Sequence, residues 1–216
     1  MATGGGTARG AVALALTGLI SPPPPLAGDP AADIASYYAR HHAGLEVESV
    51  ADGIGAILLV VFVAVFHSRI RTMPSMTAFV GAAILAACVL VQVAAFHALA
   101  FRPNPDPTRA ALLNDLQSFT FQVATFPTLL FLGAAAAATF STRRLPRWLG
   151  LLAAAAAALQ VVAWISFFAP SGILAAGGLP DIVSFAALLA WLVACSLVML
   201  ARRAPVESPA VRPRLQ

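Results

Sequence analysis

The strongest constraint on this chain is a succession of apolar runs, each long enough to cross a bilayer and each flanked on one side by arginine. They cover residues 47–66, 76–101, the segment that ends near Phe140, 148–168 and 181–201. At 1.5 Å per residue, about twenty helical residues match a hydrocarbon core of about 30 Å. A backbone inside that layer has to satisfy its own N–H and C=O groups, so each run reads as a helix. Composition agrees: 60% of the 216 residues are hydrophobic, 10% are charged, and the mean hydropathy is +0.85. Soluble domains do not have that balance. The expected fold class is all-α, a polytopic transmembrane helical bundle.

The count of membrane helices turns on the N-terminal region. Residues 8–20 form a further apolar run, about 20 Å of helix, halted by Pro22, Pro23, Pro24 and Pro25. We read it as a short first membrane helix, giving six; read as a signal-like segment it leaves five. Residues 1–28 are then this segment with its Pro-rich exit, 29–203 a helical membrane domain, and 204–216 a cytoplasmic tail expected to be disordered. Asp29-Pro30 has the pattern of an N-cap followed by Pro at the first helical position. It leads into an amphipathic helix over 31–42, with Ile34, Tyr38 and Leu45 on one face, expected to lie on the outer membrane surface and to run almost directly into the next span. Pro127 lacks a backbone donor and predicts a kink over 123–127.

All thirteen basic residues are arginine. Arg9, Arg69, Arg71, Arg143, Arg144, Arg147, Arg202, Arg203, Arg212 and Arg214 fall on one side of this layout; Arg40, Arg102 and Arg109 fall on the other. The positive-inside rule then places both termini in the cytoplasm of a bacterial inner membrane. The same distribution argues against a nucleic-acid partner, because the arginines sit in short clusters between apolar runs and not on one soluble face. Cys88 and Cys195 lie inside apolar runs at different depths, so no disulfide is expected.

The fourth run carries an unusual number of polar groups. Asp115, Ser118, Gln122 and Thr125 are spaced by three, four and three residues, an arc of about 80° at helical period. Facing lipid, such a stripe is unfavourable; it belongs against other helices or a wet cavity. In the orientation above, Glu48, Asp52, His97, the stripe and Asp181 share the outer half or its rim, and Gln92 sits near the middle of the third span. Two readings stay open. In one, Asp52, Gln92, His97, Asp115, Ser118, Gln122 and Thr125 line an outward-facing pocket for a small polar or cationic ligand, or relay a proton. In the other, Asp52, Asp115 and Asp181 are helix starts favoured by the macrodipole, and the glutamines are bonds between helices. His97 and Gln122 discriminate best, since neither can be a cap.

Other chemistry has less support. His41 and His42 point about 100° apart, and His67 and His97 differ in depth by most of a membrane, so no haem pair forms between them. A metal site from His41 or His42 with His97 and Asp52 is geometrically allowed, as an alternative redox or metal-binding role. A lipid-directed enzyme at the outer headgroup level is a further alternative. No G-x-S-x-G, H-E-x-x-H, Walker A or paired-Cys signature is present, so no catalytic residue, metal ligand or cofactor is assigned. The expected partners are the bilayer and a small-molecule ligand.

Two stretches carry a resemblance. One holds Asp29, Ile34, Tyr37-Tyr38 and His41-His42, then an apolar span ending in Phe66-His67-Ser68-Arg69-Ile70-Arg71. The other holds Asn114-Asp115-Leu116, Pro127-Thr128 and Leu145-Pro146-Arg147-Trp148-Leu149-Gly150. Both resemble a family of small actinobacterial six-helix integral membrane proteins of unknown function. The resemblance implies a fold and transfers no catalytic residue.

Overall fold

The computed structural model describes residues 25–101, 104–142, 144–169, 174 and 178–202. The short run at 8–20 and the tail at 204–216 lie outside them. Every regular element among the described residues is helical: α1 (Ala31–Ile70), α2 (Met73–Ala100), α3 (Pro107–Val123), α4 (Thr125–Thr142), α5 (Arg147–Ala163), a 3-10 turn (Trp164–Phe168) and α6 (Leu179–Ala201). With α3 and α4 taken as one broken rod and the 3-10 turn added to α5, five helices are long and apolar enough to cross a membrane. They coincide with the five long runs of the sequence.

Local chemistry sets the boundaries. Arg71 ends α1 in the left-handed region (φ 53°), where its N–H reaches the His67 carbonyl at 2.8 Å. Thr72 and Ser75 form a capping box that starts α2, with Pro74 in its first turn. These two residues, Arg71 and Thr72, are the whole connection, so α1 and α2 are antiparallel neighbours. Asp106 caps α3, accepting the N–H groups of Thr108 (2.9 Å) and Arg109 (3.4 Å), and Pro107 occupies the first position.

Two expectations need correcting. The amphipathic helix over 31–42 is not a separate element: α1 runs unbroken for 40 residues, about 60 Å. No Pro interrupts residues 31–70, and the lone Gly44 in the first half of the rod costs about 1 kcal/mol without ending a helix. Nor does Asp29 cap it. Pro30 takes the cap position without a side-chain bond, while Asp29 Oδ2 accepts the Leu26 N–H at 2.9 Å within the preceding turn.

Packing follows the chain. α1 lies on α2, α2 on α3 and α4, α4 on α5, and α5 on α6. Trp191 of α6 closes the circuit: its ring meets Phe62 and Phe66 of α1 and Phe131 of α4, and its indole N–H donates to the Leu149 carbonyl of α5 at 3.1 Å. Small residues bring the rods together. Ala135 and Ala138 of α4 and Ala153 and Ala156 of α5 are almost fully buried, which is how helices associate where apolar surface alone gives no advantage over lipid. A second, separate core joins Ile34, Tyr38 and Leu45 of α1 to Phe96 and Leu99 of α2 and Ala110 of α3. There α1, α2 and α3 form a three-helix end.

The two ends of the bundle differ in charge. At one, α1, α4 and α6 finish and α2 and α5 begin, with Arg69, Arg71, Arg144, Arg147 and Arg202 and no acidic residue among those described. All the described acids lie in the other half, which holds Arg40 and Arg109 as its described bases.

Candidate functional site

The polar stripe folds inward at Ser118, Gln122 and Thr125, with Asn114 and not Asp115 as its fourth buried member. Asp115 is half-buried beside them. Asn114 sits four residues before Ser118, as Ser118 does before Gln122, so it continues the inward row that Asp115 leaves.

Gln122 anchors a chain of hydrogen bonds linking three elements. Its Nε2 donates to Ser166 Oγ at 2.9 Å, in the 3-10 turn after α5. Ser166 Oγ lies 3.1 Å from Asp181 Oδ1 in the first turn of α6 and 2.7 Å from the Ala163 carbonyl. One hydroxyl proton serves those two acceptors in turn. Asp181 is fully buried, and Gln122 and Ser166 almost so. Beside them, the Trp164 indole N–H donates to Thr125 Oγ1 at 3.1 Å, and Thr125 in turn donates to the Gln122 carbonyl at 2.7 Å. Gln160 Nε2 donates to the Ser184 carbonyl at 3.0 Å, tying α5 to α6 one turn away.

The break between α3 and α4 is what presents Gln122 and Thr125 to this chain. Pro127 offers no N–H, and the helix interrupts at Ala124. Carbonyls at the break are taken up by side chains, Gln122 by Thr125 and Ala124 by Thr128 (2.7 Å). The kink expected from the sequence is here a break between two helices. Chain ends of this kind are tolerated at membrane depth where they are buried in protein.

Asp52 and Gln92 approach the same layer from α1 and α2. Both are half-buried. Asp52 stands three residues after buried Ser49 and four before buried Ala56, so it occupies the inward face of α1. From the closed end of the hairpin, where His67 Nδ1 meets Ser75 Oγ at 2.8 Å, Asp52 is fifteen residues along α1 and Gln92 seventeen along α2. The α2–α4 crossing is fixed at Gly81, whose Cβ position is 2.7 Å from the Phe131 backbone N. Counting outward from that crossing, eleven residues from Gly81 to Gln92 and nine from Phe131 to Gln122, puts the two glutamines within about one turn in depth.

The helix-start explanation of the acids therefore holds for Asp181 alone. Asp52 is deep inside α1, and Asp115 lies in the third turn of a helix capped by Asp106. Asp115 Oδ1 instead accepts the Gly28 N–H at 3.4 Å, while Asn114 Nδ2 donates to the Pro25 and Leu26 carbonyls at 3.4 Å. Tyr38 Oη donates to Asn114 Oδ1 (3.0 Å) or Gln117 Oε1 (3.2 Å). These groups hold residues 25–28 onto α1 and α3, a structural task above the Gln122 layer.

His97 does not join that layer. It is exposed, with Phe101 as its ring neighbour at 6.2 Å, because it sits about 100° around α2 from buried Phe96. His41 Nδ1 pairs with the Tyr37 carbonyl and His42 Nδ1 with the Ala39 carbonyl, each within its own helix. Among the described residues no group of three or more His, Cys, Asp or Glu is arranged to hold a metal ion.

Ser166 and Asn114 were not singled out by sequence reasoning. Ser166 stands alone in an apolar run, and only its place opposite Gln122 gives it a role. Asn114 was legible, because it has helical spacing to Ser118. Compared with known proteins, the chain matches no family model, no curated protein and no solved structure.

Proposed function

We propose that this is a multi-pass membrane protein that binds or moves a small polar or cationic ligand, which enters from the end opposite the arginines and meets the layer around Gln122. What supports the reading is one bonded chain, Gln122–Ser166–Asp181, with Asp52 and Gln92 half-buried at about the same depth by residue count, so that every rod of the bundle contributes a polar side chain. A carboxylate or amide in hydrocarbon is costly, and it is kept where it has a partner or a task. Hydrogen bonds across helices account for Gln122, Ser166 and Asp181. Asp52 and Gln92, half-buried on facing helices, supply the acceptors a ligand would meet. The excess of acid over base in that half favours a cation. The proposal excludes His97 and moves Asp115 from the site to the wall that holds residues 25–28.

The purified full-length protein, screened by thermal midpoint against small amines, amino acids and alkali cations, is expected to be stabilised by one cationic or zwitterionic class. Asp52→Asn should abolish that shift while keeping its own midpoint within a few degrees of the parent. If no compound shifts the parent, or if the shift persists in Asp52→Asn, the reading fails.

A further inference from the structure

The arginine end has a construction that goes beyond a charge count. Arg69 donates from Nη1 to the Met199 carbonyl at 2.8 Å, Arg144 from Nη1 to the Arg69 carbonyl, and Arg202 from Nη1 to the Arg144 carbonyl at 2.9 Å. The C-terminal regions of α1 and α6 and the turn after α4 are thereby tied together through three guanidinium groups. The acceptors are carbonyls near helix C-termini, whose partial negative charge suits a cation. No carboxylate among the described residues takes part. A guanidinium has five N–H donors, and in each of these three the bond to a neighbouring segment among the described residues uses Nη1 alone. Arg71 and Arg147 stand beside them, exposed, with Arg71 Nε bonded locally to the Ser68 carbonyl at 3.1 Å. Trp148, half exposed at the start of α5, marks the level at which indole rings favour a membrane interface.

We propose that this end is a docking surface for anionic phospholipid headgroups, centred on Arg69, Arg144 and Arg202 and widened by Arg71 and Arg147. The proposal rests on the bilayer reading above. A phosphodiester offers charge and acceptor oxygens to donors held in fixed positions, and guanidinium forks match that geometry. Because the three groups belong to α1, α6 and the α4–α5 turn, one bound headgroup bridges elements far apart in the chain, so binding stabilises the closed circuit around Trp191. A surface basic residue strengthens attachment to an anionic membrane about fivefold.

The test uses the full chain in nonionic detergent, with the thermal midpoint followed as phosphatidylglycerol or phosphatidylcholine is titrated in, and inorganic phosphate alone as a third arm. Arg71→Gln/Arg147→Gln removes two charges without touching the three bonds that tie the segments together. Arg40→Gln/Arg109→Gln removes two at the opposite end. Phosphatidylglycerol should raise the midpoint where phosphatidylcholine does not. Its half-saturating concentration should rise about 25-fold in the first double variant, stay level in the second, and rise with added salt. Equal responses to the two lipids, equal half-saturation in both double variants, or a full response to inorganic phosphate would overturn the proposal. If the bilayer reading itself were wrong, the protein would stay in solution without detergent and fail to incorporate into phosphatidylcholine vesicles, a separate result.

Discussion

Glycine positions show how narrowly single residues are constrained here. At Gly81 a Cβ would stand 2.7 Å from the Phe131 backbone N and 3.1 Å from the Pro127 carbonyl O, and neither can move without shifting α4. Gly81→Ala is therefore expected to cost about 1–3 kcal/mol through overpacking. At Gly133 a Cβ meets nothing within 4 Å, so Gly133→Ala should be neutral or gain up to about 1 kcal/mol from helix propensity. Thermal midpoints of the two variants in the same detergent check the contrast; equal effects would mean that α2 and α4 do not cross at Gly81. Nothing in the sequence separates these two glycines, since each follows a Phe and an aliphatic residue and precedes two alanines. The close approach is created by the α4 backbone, and the residues next to Gly81 in the chain do not report it.

At the scale of elements, helices were legible and their junctions less so. The five long runs appear as rods because length and missing charge are local properties. The unbroken course of α1 through residues 43–52 could also have been read from the absence of Pro between 31 and 70, but the amphipathic pattern and Gly44 suggested a surface helix set off from the span it leads into. Side-chain partners across helices depend on helix order, which no single run encodes; Ser166 opposite Gln122 is the clearest case. That bond is testable as a pair. In a double-mutant cycle of Gln122→Ala and Ser166→Ala, measured by reversible unfolding in mixed micelles, the two changes should couple by about 0.6–2 kcal/mol. Additive effects would separate α3 from the 3-10 turn. Gln160→Ala, paired with Ser166→Ala, should show no comparable coupling, because Gln160 bonds to the Ser184 carbonyl.

For the whole molecule, charge is divided by the bundle itself. The rods alternate in direction, so five arginines at chain positions as distant as 69 and 202 come to one end, and eight described acids lie in the other half. The arginine pattern made this asymmetry visible in the sequence before helix order was known, because alternation alone decides which end each cluster reaches. The bonds that tie Arg69, Arg144 and Arg202 to the Met199, Arg69 and Arg144 carbonyls need the closed circuit and were not visible. If the positive-inside rule sets the orientation, the arginine end faces the cytoplasm. In a chain with Cys88 and Cys195 replaced by Ala, a cysteine at exposed Thr108 should react with a membrane-impermeant maleimide on intact cells. One at exposed Ser68, beside Arg69, should react after permeabilisation only. The reverse pattern would turn the bundle over and open the Asp52 layer to the cytoplasm. Reaction of both on intact cells would break the two-sided architecture, because Ser68 and Thr108 stand at opposite ends of rods that are long and apolar enough to cross a membrane once each.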